Sequence, residues 1–356
     1  MSEHQNSIIL SAIQALYARE SRQAKDLFFA QPFADGSLKE FTWARAASDA
    51  RRVAAYLRSL ELEAGTRIAL MSNNCAYWII ADLAIWLAGH VSVPIYPVLT
   101  GSSVRQILDH SSAQVMFAGK LDKWTEIQTG VDFSIKIITF PSESSVPADA
   151  GKEWNHILSE FGPIIDNPLP SLDDLAMIVY TSGTTGVPKG VMHFFRNLGI
   201  VGTAAGKMYP ISKNDRKLFY LPLAHVAERA AVEVNQLYYG YPVYFSCSLD
   251  TFGDDLRRAR PTLFFAVPRI WQKFQQQVLV RVPAKRPQLL LNLPLLSRHM
   301  RKKVLSGLGL DQMRIAISGA APRSTTLIEW YGALRVELLE GYGMSENFAF
   351  SHATRS

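Results

Sequence analysis

Residues 180–191, YTSGTTGVPKGV, combine small hydroxyl side chains and glycines with a single lysine, directly after the apolar run LAMIV. Successive glycines allow backbone N–H groups to converge on one point, and the hydroxyls and Lys189 add donors and positive charge. Such a segment can wrap phosphate oxygens. A Walker loop requires Ser or Thr after its lysine, whereas Gly190 follows Lys189, so the spacing disfavours a conventional P-loop NTPase. An ordinary turn rich in Gly and Thr is the structural alternative.

Three later segments add to this loop in a fixed order: YLPLAHVAER at residues 220–229, ISGAAPRS at 317–324 and LEGYGMSEN at 339–347. With the first loop, they resemble the successive core motifs of the adenylate-forming, or AMP-binding, enzymes. That family includes acyl-CoA synthetases, luciferases and the adenylation domains of peptide synthetases. The resemblance extends over residues 41–346, because the segment upstream of the loop is also similar to the family's N-terminal lobe.

The resemblance implies a set of site residues. The residues implied to hold the β and γ phosphates of ATP are Thr181, Ser182, Gly183, Thr184, Thr185, Gly186 and Lys189. The backbone wall against the adenine is implied to be Gly319, Ala320, Ala321 and Pro322, where small side chains permit close approach. The last motif is implied to contact the nucleotide through Glu340, Gly341, Tyr342, Gly343 and Ser345. The resemblance implies that Tyr342 stacks on the adenine and that Ser345 donates to the α-phosphate.

The family joins a carboxylate to ATP, releases pyrophosphate and passes the acyl group of the adenylate to a thiol. The carboxylate is already a nucleophile, so the protein mainly aligns it and neutralises charge. The implied catalytic residues are Thr184, Lys189, His225 and Glu346. Glu346 and Thr184 are implied to hold Mg²⁺. His225 matches the position near the carboxylate and the acyl tunnel, and a structural histidine is the alternative.

Three segments look closest to the long-chain fatty acyl-CoA synthetase branch of the family: LPLAHVAER, VPRIWQKF (residues 267–274) and EGYGMSE. The resemblance therefore implies a fatty acid, ATP and CoA as substrates. Two alternatives stay open: an aryl, amino or other carboxylate, and a non-catalytic nucleotide-binding or lipid-surface module.

The elements that position these motifs follow from the hydrophobic pattern. Continuous apolar runs begin at residues 67, 91, 114, 135, 175, 217, 242, 262, 314 and 336, with helical patterns between them. Strands that are apolar on both faces indicate parallel pairing under helical layers. We expect an α/β protein of layered αβα subdomains with mostly parallel sheets, one at residues 1–170 and one at 171–356 that carries the ATP motifs. A helix is expected to start near Val191.

Composition limits the class of protein. The chain has 356 residues, 48% of them hydrophobic and 19% charged, which is typical of a folded globular protein. Two cysteines provide no disulfide framework, the histidines form no zinc spacing, and the start of the chain does not look like a signal peptide. We expect a cytoplasmic protein, with residues 75–96 forming a buried helix and strand instead of a membrane span.

The positive charges are concentrated in one region. Residues 256–310 contain no acidic side chain and twelve basic ones. This suggests peripheral contact with an anionic membrane, and a solvated helical face is the alternative. No recognised fold or aromatic interleaving supports nucleic-acid binding.

The sequence ends ten residues after Glu346. The resemblance implies that a ribose-binding aspartate and a mobile C-terminal catalytic domain follow in relatives. We therefore expect a fragment without the C-terminal domain, impaired in catalysis on its own and prone to self-association through uncovered apolar surface.

Overall fold

Strands alternate with helices along the chain. The computed structural model describes residues 9–141, 146–181, 188–281 and 294–354. Its strands are β1 Leu27–Pro32, β2 Leu38–Thr42, β3 Arg67–Met71, β4 Val91–Ile95, β5 Val115–Ala118, β6 Lys136–Thr139, β7 Lys152–Glu153, β8 Leu175–Thr181, β9 Lys189–Phe194, β10 Lys217–Phe219, β11 Val243–Phe245, β12 Leu263–Ala266, β13 Ile315–Gly319, β14 Leu338–Tyr342 and β15 His352–Ala353.

Helices connect most of these strands. They are α1 Ala12–Gln23, α2 Trp43–Ser59, α3 Ala76–Leu87, α4 Gly101–Ser111, α5 Trp124–Ile127, α6 Trp154–Glu160, α7 Phe195–Met208, α8 Val226–Glu228, α9 Asn235–Tyr239, α10 Phe252–Ala259, α11 Pro268–Arg281, α12 Pro294–Leu308 and α13 Thr325–Ala333. A π-helical segment, Arg229–Val234, joins α8 to α9 without a break. Short 3₁₀ turns lie at Gln128–Gly130, Ala148–Ala150 and Ser345–Asn347.

The strands form three sheets. The largest has the order β7-β6-β5-β3-β4-β8-β9, and two four-stranded sheets have the orders β10-β11-β1-β2 and β12-β13-β14-β15. Pairing is parallel except at β1–β2, β8–β9 and β14–β15. The expected α/β class with mostly parallel sheets is thus confirmed.

Local sequence explains the helices that cover the sheets. Thr42 caps α2 by accepting a hydrogen bond from the Arg45 N–H at 3.2 Å. Every residue of α3 is buried, which agrees with its nearly all-apolar sequence and with the expected helix and strand in residues 75–96. No described helix is long and apolar enough to cross a membrane.

The expectation of a helix near Val191 is wrong. Residues 189–194 form β9, which pairs antiparallel with β8 in the register Val179↔Val191 and Met177↔His193. Helix α7 begins only at Phe195, where the Asn197 side chain accepts the Phe194 N–H at 3.0 Å. Residues 189–194 form a strand because β8 provides their backbone hydrogen-bond partners.

Strands from both sides of residue 170 lie in the same sheets. Strand β8 pairs with β4 through Ser92↔Met177, and β1 pairs with β11 through Phe29↔Val243. The division into subdomains at residues 1–170 and 171–356 stays a prediction, and the described hydrogen-bond ladders cross it.

Candidate functional site

The motifs SGAAP and EGYG meet at the carboxyl ends of two neighbouring parallel strands. Gly319, the last residue of β13, is the register partner of Gly341 in β14. A Cβ atom on Gly319 would lie 2.7 Å from the Gly341 carbonyl oxygen, so this approach requires glycine. Ala320 follows with φ +69°, a left-handed conformation that costs a non-glycine residue energy and is found at functional sites. Ligands of α/β sheets bind at such strand ends.

A cavity of about 390 Å³ opens beside these strand ends. The sequence-predicted site residues that line it are His225, Ala320, Gly341, Tyr342, Gly343 and Ser345. Tyr342 is 57% exposed, which leaves its ring free to stack on a planar ligand. The other walls are mainly apolar and come from α7, from the helical segment 226–239 and from β12 and β13. The volume falls at the lower end of the range typical for small-molecule sites.

The turn after β14 carries Ser345 and Glu346. The Asn347 side chain accepts the Met344 N–H at 2.9 Å, and Phe348 and Ala349 both have positive φ, at +55° and +54°. Phe348 is buried and fixes the turn against the largest sheet. Glu346 is exposed beside the cavity entrance and does not line the cavity.

His193 was not identified from the sequence, yet it supports this turn. Its ring lies on β9, beside the Ser345 backbone and 4.9 Å from the Phe348 ring centroid. Burial lowers the pKa of His193 to about 4, outweighing the opposite effect of the Ser345 backbone. Its Nε2 has no hydrogen-bond partner among the residues that the structure describes. The sequence carried no signal for this role, because His193 lies in a segment for which a helix was expected.

The phosphate-loop prediction is only partly covered by the structure. Ser182, Gly183, Thr184, Thr185 and Gly186 lie outside the described residues. Thr181 and Lys189 are register partners at the ends of β8 and β9. Lys189 is exposed, and neither residue lines the cavity.

Other sequence-predicted residues do not line the cavity. They are Gly319, Ala321 and Pro322, of which the last two are exposed. The Glu340 carboxylate accepts a hydrogen bond from Arg323 at 3.2 Å, and the same guanidinium donates to the Leu338 carbonyl. Arg323 thereby ties the two motifs together, and Glu340 is engaged in this contact.

His225 stands at the entrance to the cavity, at the N-cap of α8. Its Nδ1 accepts the Ala227 N–H at 3.1 Å, which leaves Nε2 as the protonated nitrogen of the neutral ring. Desolvation by the cavity wall lowers the pKa of His225, which keeps the imidazole neutral at pH 7. The exposed ring can therefore donate one hydrogen bond to an anion through Nε2.

A buried ionic cluster anchors the helical segment behind His225. Arg229 forms ion pairs with Asp82 of α3 and, at 3.4 Å, with Glu233, and all three side chains are fully buried. The guanidinium lies 4.9 Å from the Trp78 ring centroid. Burial raises the pKa of Glu233 well above its usual value. A charge cluster excluded from water fixes this helix against α3.

The donor set for a metal is small. No group of three or more His, Cys, Asp or Glu side chains able to hold a metal ion occurs within the described residues. Mg²⁺ commonly takes one or two carboxylates together with substrate phosphates, so an exposed lone carboxylate such as Glu346 fits that ion.

Part of the basic region is neutralised by acidic neighbours just outside it. Arg257 pairs with Asp254, Arg258 with Asp255 at 3.0 Å, and Arg260 with Asp311. Arg281, Lys285, Arg286 and the apolar run 289–296 lie at least partly outside what the structure describes. Contact with an anionic membrane stays a prediction.

Comparison with curated proteins identifies similar fatty acid ligases. The long-chain-fatty-acid–CoA ligase FadD15 of Mycobacterium bovis is 30% identical over 382 residues, covering 97% of this chain and 61% of that relative. The peroxisomal long chain acyl-CoA synthetase 6 of Arabidopsis thaliana is 28% identical, covering 87% of this chain and 48% of that relative. The chain thus spans about half to three fifths of these two curated relatives.

Solved structures share the fold. The anthranilate CoA ligase AuaEII in complex with anthranoyl-AMP has a TM-score of 0.80 at 18% identity, over 100% of this chain and 64% of that chain. The N-terminal domain of FACL13 from Mycobacterium tuberculosis has a TM-score of 0.74 at 22% identity, over 97% and 78%. A family model described as AMP-binding enzyme matches residues 18–356. With the strand-end motifs in their expected order around one cavity, the chain belongs to the AMP-binding enzyme family.

Proposed function

We propose that this chain is the nucleotide- and acid-binding part of an acid–thiol ligase. The reaction joins a carboxylate to the α-phosphate of ATP, releases pyrophosphate, and then transfers the acyl group to the thiol of CoA. One observation carries the proposal: a single cavity joins the glycine-rich ends of β13 and β14 to an apolar chamber behind His225. The strand ends suit a nucleotide, and the chamber suits the carbon chain of an acid.

The proposed adenylation step requires alignment and charge neutralisation. A carboxylate oxygen forms a bond to the α-phosphorus, and the bond to the oxygen bridging the α and β phosphates breaks. Tyr342 stacks on the adenine, residues 319–322 approach its edge, and the Ser345 hydroxyl donates to the α-phosphate. Glu346 and Thr184 would hold Mg²⁺, which would supply positive charge to neutralise the phosphates.

The remaining phosphates are assigned to the glycine-rich loop. Thr181, Lys189 and residues 182–186 hold the β and γ phosphates, which leave as pyrophosphate. His225 donates its Nε2–H to the substrate carboxylate and orients one oxygen toward the α-phosphorus. Because the imidazole is neutral and is fixed by its Nδ1 hydrogen bond, it aligns the nucleophile without removing its charge.

We assign the acid to the fatty acid class. The apolar side chains that face the chamber, including Val201, Leu263 and Ile317, support a carbon chain. The names of the fatty acid ligases among the relatives support the same class. An aryl acid is the second candidate, because the AuaEII structure holds an anthranoyl adenylate in the same fold.

The decisive experiment measures pyrophosphate release and acyl-adenylate formation by the 356-residue chain with ATP and Mg²⁺. Octanoate, palmitate, benzoate and an amino acid serve as competing acids. We expect adenylate with a fatty acid, at a low rate, and nucleotide binding that is lost in Gly343→Val, since a Cβ there would lie 2.3 Å from the Ala349 backbone. Benzoate as the best acid would contradict the fatty acid class, and nucleotide binding without any adenylate would favour a non-catalytic module.

We also propose that the basic region contacts an anionic membrane from a cytoplasmic location. Arg269 and Lys273 are exposed one turn apart on α11, and Val280 near its end is 87% exposed. Co-sedimentation with vesicles should increase with their anionic lipid content and decrease with salt. Binding that is independent of anionic lipid would refute this. Self-association is tested by light scattering, where a monomer at all concentrations would contradict it.

A further inference from the structure

The helical segment 226–239 forms one wall of the cavity. His225 is exposed at the entrance, and the side chains that follow toward the interior are small: Ala227, Ala230 and Ala231 all line the cavity. Asn235, a lining residue further along, is buried. Ala231 follows His225 by six residues and lies in the π-helical segment. The cavity volume of about 390 Å³ accommodates a carbon chain of medium length.

Lys217 and Asn235 interrupt the apolar wall of the cavity near Ala231. Three donors converge on the Ala231 carbonyl oxygen: the Lys217 ammonium, the Asn235 amide at 3.2 Å and the Tyr241 hydroxyl at 3.5 Å. Lys217 lines the cavity and is only 8% exposed. An apolar acyl pocket needs no polar side chains in its wall, because a hydrocarbon chain cannot form hydrogen bonds with them.

Lys217 lacks the partner that a buried cation normally has. Within the described part of the chain, no carboxylate lies within 4.0 Å of its ammonium group. Glu228 and Asp215 act on it only at longer range, and the Tyr241 ring centroid lies 5.4 Å away. Burial lowers the pKa of Lys217 to about 8, so the ammonium form still predominates at neutral pH. A buried cation without a close ion pair is stabilised when an anion comes within hydrogen-bond distance.

We propose that the acid activated in this cavity carries a second carboxylate at the far end of its chain, and that Lys217 binds this carboxylate. The substrate class is then an aliphatic α,ω-dicarboxylic acid. One carboxylate forms the bond to the α-phosphorus as pyrophosphate leaves, and the other stays chemically unchanged against the ammonium group. This inference rests on the proposed function and narrows its fatty acid class.

The geometry explains why the second group is an anion. A carboxylate supplies a close counter-charge for Lys217 and accepts hydrogen bonds from Lys217 and Asn235, whereas a terminal methyl group leaves the ammonium without a close ion pair. The apolar side chains of Val201 and Ala205 contact the methylene groups between the two ends. An uncharged ω-hydroxyl offers a donor to Asn235 Oδ1, which has no partner within the described residues, but it supplies no charge.

Calorimetric binding to the 356-residue chain tests the proposal with octanedioate, octanoate and ω-hydroxyoctanoate. We expect octanedioate to bind at least about tenfold more tightly than the other two, the effect of one charge-assisted hydrogen bond. Lys217→Met should abolish that preference and improve octanoate binding. Lys136→Met, which removes an exposed lysine on β6, is the matched control and should leave the preference unchanged.

The outcomes separate the two proposals. Equal binding of octanedioate and octanoate, or a preference that persists in Lys217→Met, overturns the dicarboxylate assignment and leaves the ligase proposal standing. Equal binding of ω-hydroxyoctanoate and octanedioate shows that charge is not recognised and also overturns it. Failure of every acid to form adenylate instead counts against the ligase function. Monomethyl octanedioate, compared with octanedioate on the unaltered chain, gives the same test without relying on the folding of a variant.

Discussion

The buried imidazole of His193 should make the protein sensitive to acid. In the folded protein, burial lowers its pKa to about 4 from the usual value of 6.5. Above pH 6.5 both states are neutral, and the ring contributes no pH dependence. As the pH falls below 6.5, the unfolded chain binds a proton that the folded state excludes, so the free energy of unfolding decreases. The decrease is complete near pH 4.

The size of this effect follows from the pKa difference. Each pKa unit corresponds to about 1.4 kcal/mol, so the full shift is worth about 3 kcal/mol, and about 2 kcal/mol of it is lost by about pH 5. The side chain is 1% exposed, so solvent screening reduces this little. The variant His193→Leu keeps an apolar contact with Phe348 and removes the titration.

Urea unfolding followed by tryptophan fluorescence measures the difference. Between about pH 7.5 and pH 5, we expect the natural chain to lose about 2 kcal/mol more free energy of unfolding than His193→Leu. Comparing two proteins removes the contribution of His90, whose pKa burial also lowers. His299→Gln, at an exposed position of α12, is the control and should titrate like the natural chain. Equal acid losses in the natural chain and His193→Leu would refute the reasoning.

Three further predictions concern the site and its support. Arg229→Met leaves Asp82 buried without its partner and should lower the free energy of unfolding by about 3–5 kcal/mol in urea. A decrease below about 1 kcal/mol, the value of a surface ion pair, would contradict this. Gly319→Val forces a Cβ toward the Gly341 carbonyl and should weaken ATP binding at least about tenfold in calorimetry, while Gly332→Ala, in open space, should not. Glu346→Gln should reduce the Mg²⁺ dependence of ATP binding and leave binding of free adenosine unchanged, and an undiminished Mg²⁺ effect would remove Glu346 from the metal site.

Sequence reasoning succeeded where the signal was local. The apolar runs that begin at residues 67, 91, 175 and 314 are strands because their side chains are buried on both faces, and this pattern is visible without a partner strand. The capping role of Thr42 is also local, since it depends on a hydrogen bond three residues away. The four motifs indicated the family for the same reason.

Sequence reasoning failed where a distant segment supplied the decisive contact. Residues 189–194 form a strand because β8 offers an antiparallel edge. His193 was overlooked because its role depends on Ser345 and Phe348, which lie about 150 residues away along the chain. Its isolated position in the sequence gave no sign of burial.

By itself, the sequence determined the family, the order of the motifs and the class of fold, because glycine spacing and apolar periodicity act through neighbouring residues. Only the tertiary structure decided which predicted residues share one cavity, and that Lys217, the first residue of β10, is a buried cation in its wall. The physical reason is that burial and electrostatic pairing depend on which elements pack together. Those contacts bring β10, α7 and the helical segment 226–239 around a single chamber.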